Sequence, residues 1–275
     1  MCVIVNADDF GMTPAITQAI LAAFENGYIS QTTAMMNMPN VGDAMKEAAG
    51  RGVINKIGLH INLTTGPALT REMRESRFCN CSGDFEKRIA EEKRMMLPYG
   101  RKEREVIKGE IRAQIERFLS FNPVLLHADG HHHIHMRLPV ASIVFPLLKE
   151  YGFKTIRRTY SRGYQFAVKS AMYYVRDEIF MRHLIRSGLK TTSFFGSADD
   201  FSLVNEHSES AETEMYEIMV HPRYNDRGII VDTRDYRRNL GCPLDIVHSK
   251  IMRRKVRLVD YSELIGNNFD AHTGA

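Results

Sequence analysis

Cysteine is scarce in this chain: Cys2, Cys79, Cys81 and Cys242 are the whole complement of 275 residues. Four so unevenly spaced do not frame a protein of this size, and Cys79-Asn80-Cys81 has no second pair at ligand spacing, which argues against a zinc clasp. A reducing, cytoplasmic setting is expected. Long apolar runs are missing as well. The chain passes directly into Val3-Ile4-Val5 with neither a basic leader nor a stretch long enough to cross a bilayer, so a soluble protein without a membrane partner is expected. Charge of one sign is also lacking, because 37 basic and 33 acidic side chains leave only +4, mixed along the chain. Phosphate-driven binding wants a concentrated basic stripe, so no nucleic-acid partner is expected. The densest basic run, Arg253-Arg254-Lys255, reads as a solvated helix end. No repeat, low-complexity tract or Gly/Ser linker divides the sequence, and its 44% hydrophobic content can fill one core. One domain over residues 1–275 is expected.

What the sequence does contain is an alternation of short β-rich runs with amphipathic runs of helical length, the pattern of an α/β protein with a parallel sheet. The strands expected are Cys2–Ala7, Thr32–Met36, Lys56–Leu63, Val124–Ala128, Lys154–Thr159, Thr191–Phe195 and Glu217–His221. Thr13 with Pro14 marks a helix start, the apolar stripe Ile16, Ala19, Ile20, Ala23 and Phe24 follows, and Gly27 closes it. The longest helix, about Glu103 to Ser120, repeats Ile107, Ile111, Ile115 and Phe118 and reads as a cover for the sheet. Pro139 through Tyr151 reads as another, closed by Gly152. Residues 70–101 and 160–210 break the rhythm and read as insertions above the scaffold, where binding loops gather. Tyr160, Tyr164 and Phe166 in the second can stack on a sugar ring or form a small core of their own.

Four segments carry the chemistry. Asn6-Ala7-Asp8-Asp9-Phe10-Gly11 puts two neighbouring carboxylates where an apolar strand opens into a loop, the place where catalytic groups collect in parallel sheets. Adjacent acids repel unless a cation or shared proton intervenes. Gly58-Leu59-His60-Ile61-Asn62-Leu63 carries a histidine in an apolar strand. His127-Ala128-Asp129-Gly130-His131-His132-His133-Ile134-His135 packs five histidines and an aspartate into nine residues. If it stays extended, His127, Asp129, His131 and His133 share one face. Glu217-Ile218-Met219-Val220-His221-Pro222 again ends a strand on histidine. One Asp and two His make a site for a divalent metal with open positions, and either member of the acidic pair can be the ligand. A second carboxylate then serves as base and a free histidine as acid.

In this order and at these separations, the blocks NADDFG, GLHINL, HADGHHHIHM and EIMVHP resemble the YdjC-like carbohydrate deacetylases, which include chitooligosaccharide deacetylases. The likeness spans the whole chain and includes Gly27-Tyr28-Ile29-Ser30 with Thr32-Thr33. It implies a seven-stranded (β/α) barrel related to polysaccharide deacetylases, one divalent metal ion (Mg²⁺ or Zn²⁺), a homodimer, and hydrolysis of the N-acetyl group of an amino sugar or short chitooligosaccharide. By motif, Asp9, His60 and His131 would hold the metal, Asp8 would be the general base and His221 the general acid. His127 and Asp129 would support the ligands, and Arg157 or Arg158 would bond sugar hydroxyls or be a strand-end surface charge. Two other readings compete: a metallohydrolase acting on another bond such as a phosphoester, and a sugar-binding protein without activity.

Overall fold

The seven apolar runs become seven parallel strands in the computed structural model, which describes residues 1–92, 97–158, 171–202, 214–233 and 241–266. They are β1 (Cys2–Phe10), β2 (Gln31–Ala34), β3 (Ile57–Ile61), β4 (His127–Gly130), β5 (Thr155–Ile156), β6 (Phe194–Gly196) and β7 (Met215–Val220). Their order is β5-β4-β3-β2-β1-β7-β6. The sheet curls until its margins meet: just ahead of β6, the Lys190 N–H donates to Lys154 O (2.9 Å), and the Ile156 N–H donates to Lys190 O (3.0 Å). This is the expected single α/β barrel of seven strands.

Alternation along β1 sets inside against outside. Val3, Val5 and Ala7 join the large core beneath the helices, whereas Ile4, Asn6 and Asp8 take the opposite face. Strand edges differ from expectation by up to three residues: β4 begins at His127 and leaves Val124 71% exposed, β5 ends at Ile156, β6 begins at Phe194 and β1 runs on to Phe10.

The covering helices follow the sequence cues closely. Helix α1 (Pro14–Glu25) starts where Thr13 accepts a hydrogen bond from the Ile16 N–H, and it ends before Gly27, whose φ of +70° suits glycine. Then come α2 (Val41–Gly50), the one-turn α3 (Arg71–Arg74) and α4 (Arg88–Glu91), α5 (Arg101–Leu119) and α6 (Leu138–Glu150). Within the second expected insertion, α7 (Ala171–Ser187) is a crossover helix whose Phe180 packs edge-on to Phe145 of α6. Tyr160, Tyr164 and Phe166 lie outside the described residues. After α8 (Ala198–Ser202) and β7, a small antiparallel sheet of β8 (Pro222–Tyr224), β9 (Ile230–Asp232) and β10 (Cys242–Pro243) follows. Helix α9 (Leu244–Met252) ends at Arg253, as the basic run suggested. Strand β11 (Arg257–Leu258) then pairs in parallel with the start of β1, and α10 (Ser262–Gly266) follows. Among the described residues no helix is long and apolar enough to cross a membrane.

A second, smaller core closes the floor of the barrel. It consists of Ile4, Leu125, Met215, Val259, Tyr261 and Leu264, so the segment after β11 packs beneath the inward face of the first strand.

Candidate active site

Two adjacent residues on a regular strand point to opposite faces, yet Asp8 and Asp9 both reach the same cavity. The backbone resolves this at Asp9, whose φ is +74°, and the β1–β2 pairing shifts register between Ala7 and Phe10. Aspartate tolerates this left-handed conformation better than most residues, and strain of this kind collects at functional sites.

Asp9 Oδ1 lies 2.8 Å from His131 Nδ1 and 3.3 Å from His60 Nε2. All three side chains are buried. Neither Asp9 Oδ1 nor His60 Nε2 finds a partner with hydrogen-bond geometry. Three ligand atoms within 4.8 Å of one another, aimed inward without bonding each other, are what a divalent cation requires, so the donor set fits one.

His60 is oriented from behind. Its Nδ1 is 2.6 Å from Asp129 Oδ1 and 3.1 Å from Thr33 Oγ1, which leaves Nε2 facing the cavity. A carboxylate behind a ligating imidazole fixes its tautomer and raises its basicity. Burial alone would depress the His60 pKa, but the charge of Asp129, helped by Asp9 and Asp8, pushes it up to about 10. The field that favours a second proton on Nε2 also favours a metal cation there. Asp9 is likewise penalised by burial, and its contacts with His131 and His60 outweigh that and keep it well below the usual carboxylate range.

Asp8 sits beside this triad and is held by Arg157. Arg157 Nη1 donates to Asp8 Oδ2 (2.8 Å) and Nη2 to Asp8 Oδ1 (2.7 Å), while Asn6 Nδ2 donates to Oδ1 (2.8 Å). Burial opposes ionisation of Asp8, but the Arg157 charge and hydrogen bonds override it and hold the carboxyl far below its ordinary range. His221 Nε2 stands 3.9 Å from Asp8 Oδ2. The His221 backbone is clamped on both sides, its N–H donating to Asp232 Oδ1 (2.8 Å) and its carbonyl accepting from the Thr233 N–H (3.2 Å).

The histidine run behaves differently from an extended strand. Extension stops at Gly130, and His132 (φ 50°) and His133 (φ 52°) turn left-handed, so the four-residue face expected from period two does not form. Only His131 of the five joins the triad. His132 lies against it with ring centroids 4.1 Å apart, and its Nδ1 is 2.9 Å from Thr64 Oγ1. His133 packs edge-on to Phe195. His127, expected beside the ligands, faces the barrel floor instead: Nδ1 is 3.0 Å from Thr155 Oγ1, and the ring stacks on Tyr261 at 3.6 Å.

Arg157 is neither a surface charge nor exposed to a sugar. It is fully buried, and besides Asp8 it meets Asp129 Oδ2 (2.7 Å) and Glu217 Oε1 (2.7 Å). Neighbouring Arg158 reaches the carbonyls of Thr192 and Ser193 instead. Asn6, Thr33, Glu217 and Tyr261 belong to the same buried network; the first three lie within the family-like segments, but the sequence assigns none of the four a role. The available signal was a lone polar residue at an inward position of an apolar strand, as at Asn6 in β1 and Glu217 in β7.

Comparison with known proteins finds relatives along nearly the whole chain. The chain is 27% identical over 274 residues to a carbohydrate deacetylase of Brevibacillus brevis, covering 96% of this chain and all of that protein. It is 26% identical over 279 residues to a carbohydrate deacetylase of Vibrio parahaemolyticus, covering 98% of each. Its fold matches a crystal structure of a candidate cellobiose-phosphate cleavage protein from Enterococcus faecalis, with TM-score 0.66, 24% identity and coverage of 96% and 98%. The YdjC-like protein family model matches residues 2–270, and the chain belongs to that family.

Proposed function

We propose that the protein hydrolyses the N-acetyl group of an amino sugar or short chitooligosaccharide, releasing acetate, with Asp9, His60 and His131 holding one divalent metal ion. The observation that carries the reading is the juxtaposition of that convergent triad with a separately held carboxylate, Asp8, and a histidine, His221, 3.9 Å from it. A binding protein needs no such acid and base beside its ligand set. The names of the relatives supply the sugar and the acetyl group, and the wide coverage of both chains supports the transfer.

A cation held there supplies Lewis-acid polarisation of the scissile carbonyl and acidification of the attacking water. Two imidazoles and one carboxylate suit Zn²⁺ better than Mg²⁺, which prefers oxygen ligands. Asp8 acts as the base. With two hydrogen bonds on Oδ1 and one on Oδ2, it keeps an Oδ2 lone pair for the proton of the attacking water. His221 protonates the departing amine, and its clamped backbone fixes where that proton is delivered.

Hydrolysis of a phosphoester competes weakly. Such a site wants free cations for the phosphoryl oxygens, and Arg157, the cation that the described residues place against Asp8, is already shared among three carboxylates. The test is acetate release from N,N′-diacetylchitobiose by protein stripped with a chelator and reloaded with Zn²⁺, Mg²⁺, Mn²⁺ or Co²⁺. Metal-restored release, reduced about 10²- to 10⁴-fold in Asp8→Asn at equal metal content, is expected. Silence with every metal, or release of phosphate from a phosphorylated sugar in its place, would overturn the reading.

A further inference from the structure

Asp8 can serve as a base only if its free lone pair is aimed, and two hydrogen-bonded routes fix its orientation. Both begin at one residue far from the chemistry. Along the first, the Tyr261 hydroxyl donates to Glu217 Oε2 (2.6 Å), Glu217 Oε1 accepts from Arg157 Nε (2.7 Å), and the far edge of the guanidinium grips both Asp8 oxygens. Along the second, the Tyr261 backbone N–H donates to Gln31 Oε1 (2.9 Å), Gln31 Nε2 to Asn6 Oδ1 (3.3 Å), and Asn6 Nδ2 to Asp8 Oδ1 (2.8 Å). Every member of this ring is buried, so water does not compete for its bonds.

Besides Asp8, the Arg157 guanidinium is held at Nη2 by Asp129 Oδ2 (2.7 Å). Phe195 lies against its face, with Cζ 4.8 Å from the ring centroid, which sets the plane. Glu217 at Nε sets the angle within that plane, and this decides whether Nη1 and Nη2 meet Asp8 squarely. Glu217 has no second basic partner among the described residues, and Tyr261 is what holds its other oxygen. Tyr261 is in turn immobilised by its stack on His127 and by the small core on the barrel floor.

We propose that Tyr261, delivered by the segment after β11, is a positioning residue for the reaction: acting through Glu217 and Arg157, it orients the Asp8 carboxylate. The proposal rests on the reading of Asp8 as the base. Tyr261 meets Gln31, Glu217 and His127, none of which belongs to the triad of Asp9, His60 and His131. Its loss should therefore lower kcat and leave KM unchanged, whereas a purely structural role would lower the amount of folded protein and not turnover per metal-loaded site.

The test compares wild type, Tyr261→Phe, Glu217→Gln and the double variant as metal-loaded full-length protein, with kcat normalised to bound metal. Tyr261→Phe keeps the ring stack and the backbone N–H and removes only the hydroxyl. Glu217→Gln keeps an acceptor for Nε but loses the charge-assisted bond. Each is expected to lose about 10- to 100-fold in kcat at unchanged KM, the range for removing a group behind a site. The double variant should lose no more than the worse single, because both act along one route. Turnover within about twofold of wild type in Tyr261→Phe, or fully additive losses, overturns the proposal. Should Tyr261→Phe not fold, Glu217→Gln alone reads the same route. If wild type itself releases no acetate, the substrate reading has failed separately, and the Arg157 Nε–H signal in ¹⁵N NMR still decides the relay. Its shift and solvent exchange should change in Tyr261→Phe, and an unmoved signal overturns it.

Discussion

At the scale of single residues, the site depends on carboxylates whose two oxygens do different jobs. Asp129 shows this most clearly. Its Oδ1 accepts from His60, while Oδ2 accepts from Thr33 Oγ1 (3.0 Å) and Arg157 Nη2 (2.7 Å). All of these neighbours are donors, so an amide at this position must turn its NH₂ towards at least one of them. Asp129→Asn is therefore expected to weaken metal binding about 10- to 100-fold, through His60 and without removing a ligand. Competition against a calibrated chelator measures it, and an unchanged affinity would show that Asp129 does not orient His60. The contrast with Asp8 is one of environment: both acids are buried, but only Asp8 keeps an accepting lone pair on the side of His221.

At the scale of elements, what was legible in the sequence was what periodicity and caps encode. The seven strands and the start and end of α1 follow from alternating or continuous apolar runs and from Thr13, Pro14 and Gly27. That the acidic pair, His60 and the histidine run would converge could be expected because strand ends of a parallel sheet point the same way, whereas the choice of Asp9 and His131 among them is what the family resemblance implies. The turn at Asp9 and the left-handed pair His132–His133 were hidden, since backbone sign at a non-glycine residue leaves no periodic trace. Helix α5 hid something else. Its apolar stripe marks a covering helix, but Glu110 and Gln114, polar residues at the edge of that stripe, are also fully buried, and hydrophobic spacing alone does not say what such residues bond. Gln114 bonds the N–H (3.0 Å) and carbonyl (2.7 Å) of Asn62, and Glu110 accepts from the Thr70 N–H (2.9 Å) and hydroxyl (3.0 Å) and from the Leu69 N–H (3.1 Å). The helix thus pins both ends of the loop that carries Thr64 beside His132. Glu110→Ala leaves the half-buried Leu69 and Thr70 donors and the buried Gln114 amide without this acceptor and should cost about 2–4 kcal/mol in urea unfolding at constant m. A loss under about 1 kcal/mol would mean that the loop holds itself.

At the scale of the whole molecule, a barrel of this kind ordinarily fills its interior with layers of branched apolar side chains. Here Asp8, His60, Asp129, Arg157 and Glu217 are buried and in mutual contact within it. A buried ionic cluster contributes little to stability against an apolar one of equal volume, so its charge balance should be visible in how stability varies with pH. Glu217 is the member to watch. Burial raises its pKa, the Arg157 charge opposes this, the Asp129 charge adds to the rise, and the balance is about 7 against an ordinary 4.5. Because the folded protein holds this proton more tightly than the unfolded chain, the contribution is fully present below pH 4.5. It is lost as pH rises through about 7. Over that window wild type should lose stability relative to Glu217→Gln, which has no proton to release, by on the order of 3 kcal/mol at most. Urea unfolding of both proteins at intervals from pH 4.5 to 8, each after treatment with a chelator, measures the difference. Parallel curves would mean that Arg157 and Tyr261 keep Glu217 ionised throughout, and that the interior holds its three carboxylates charged around a single guanidinium.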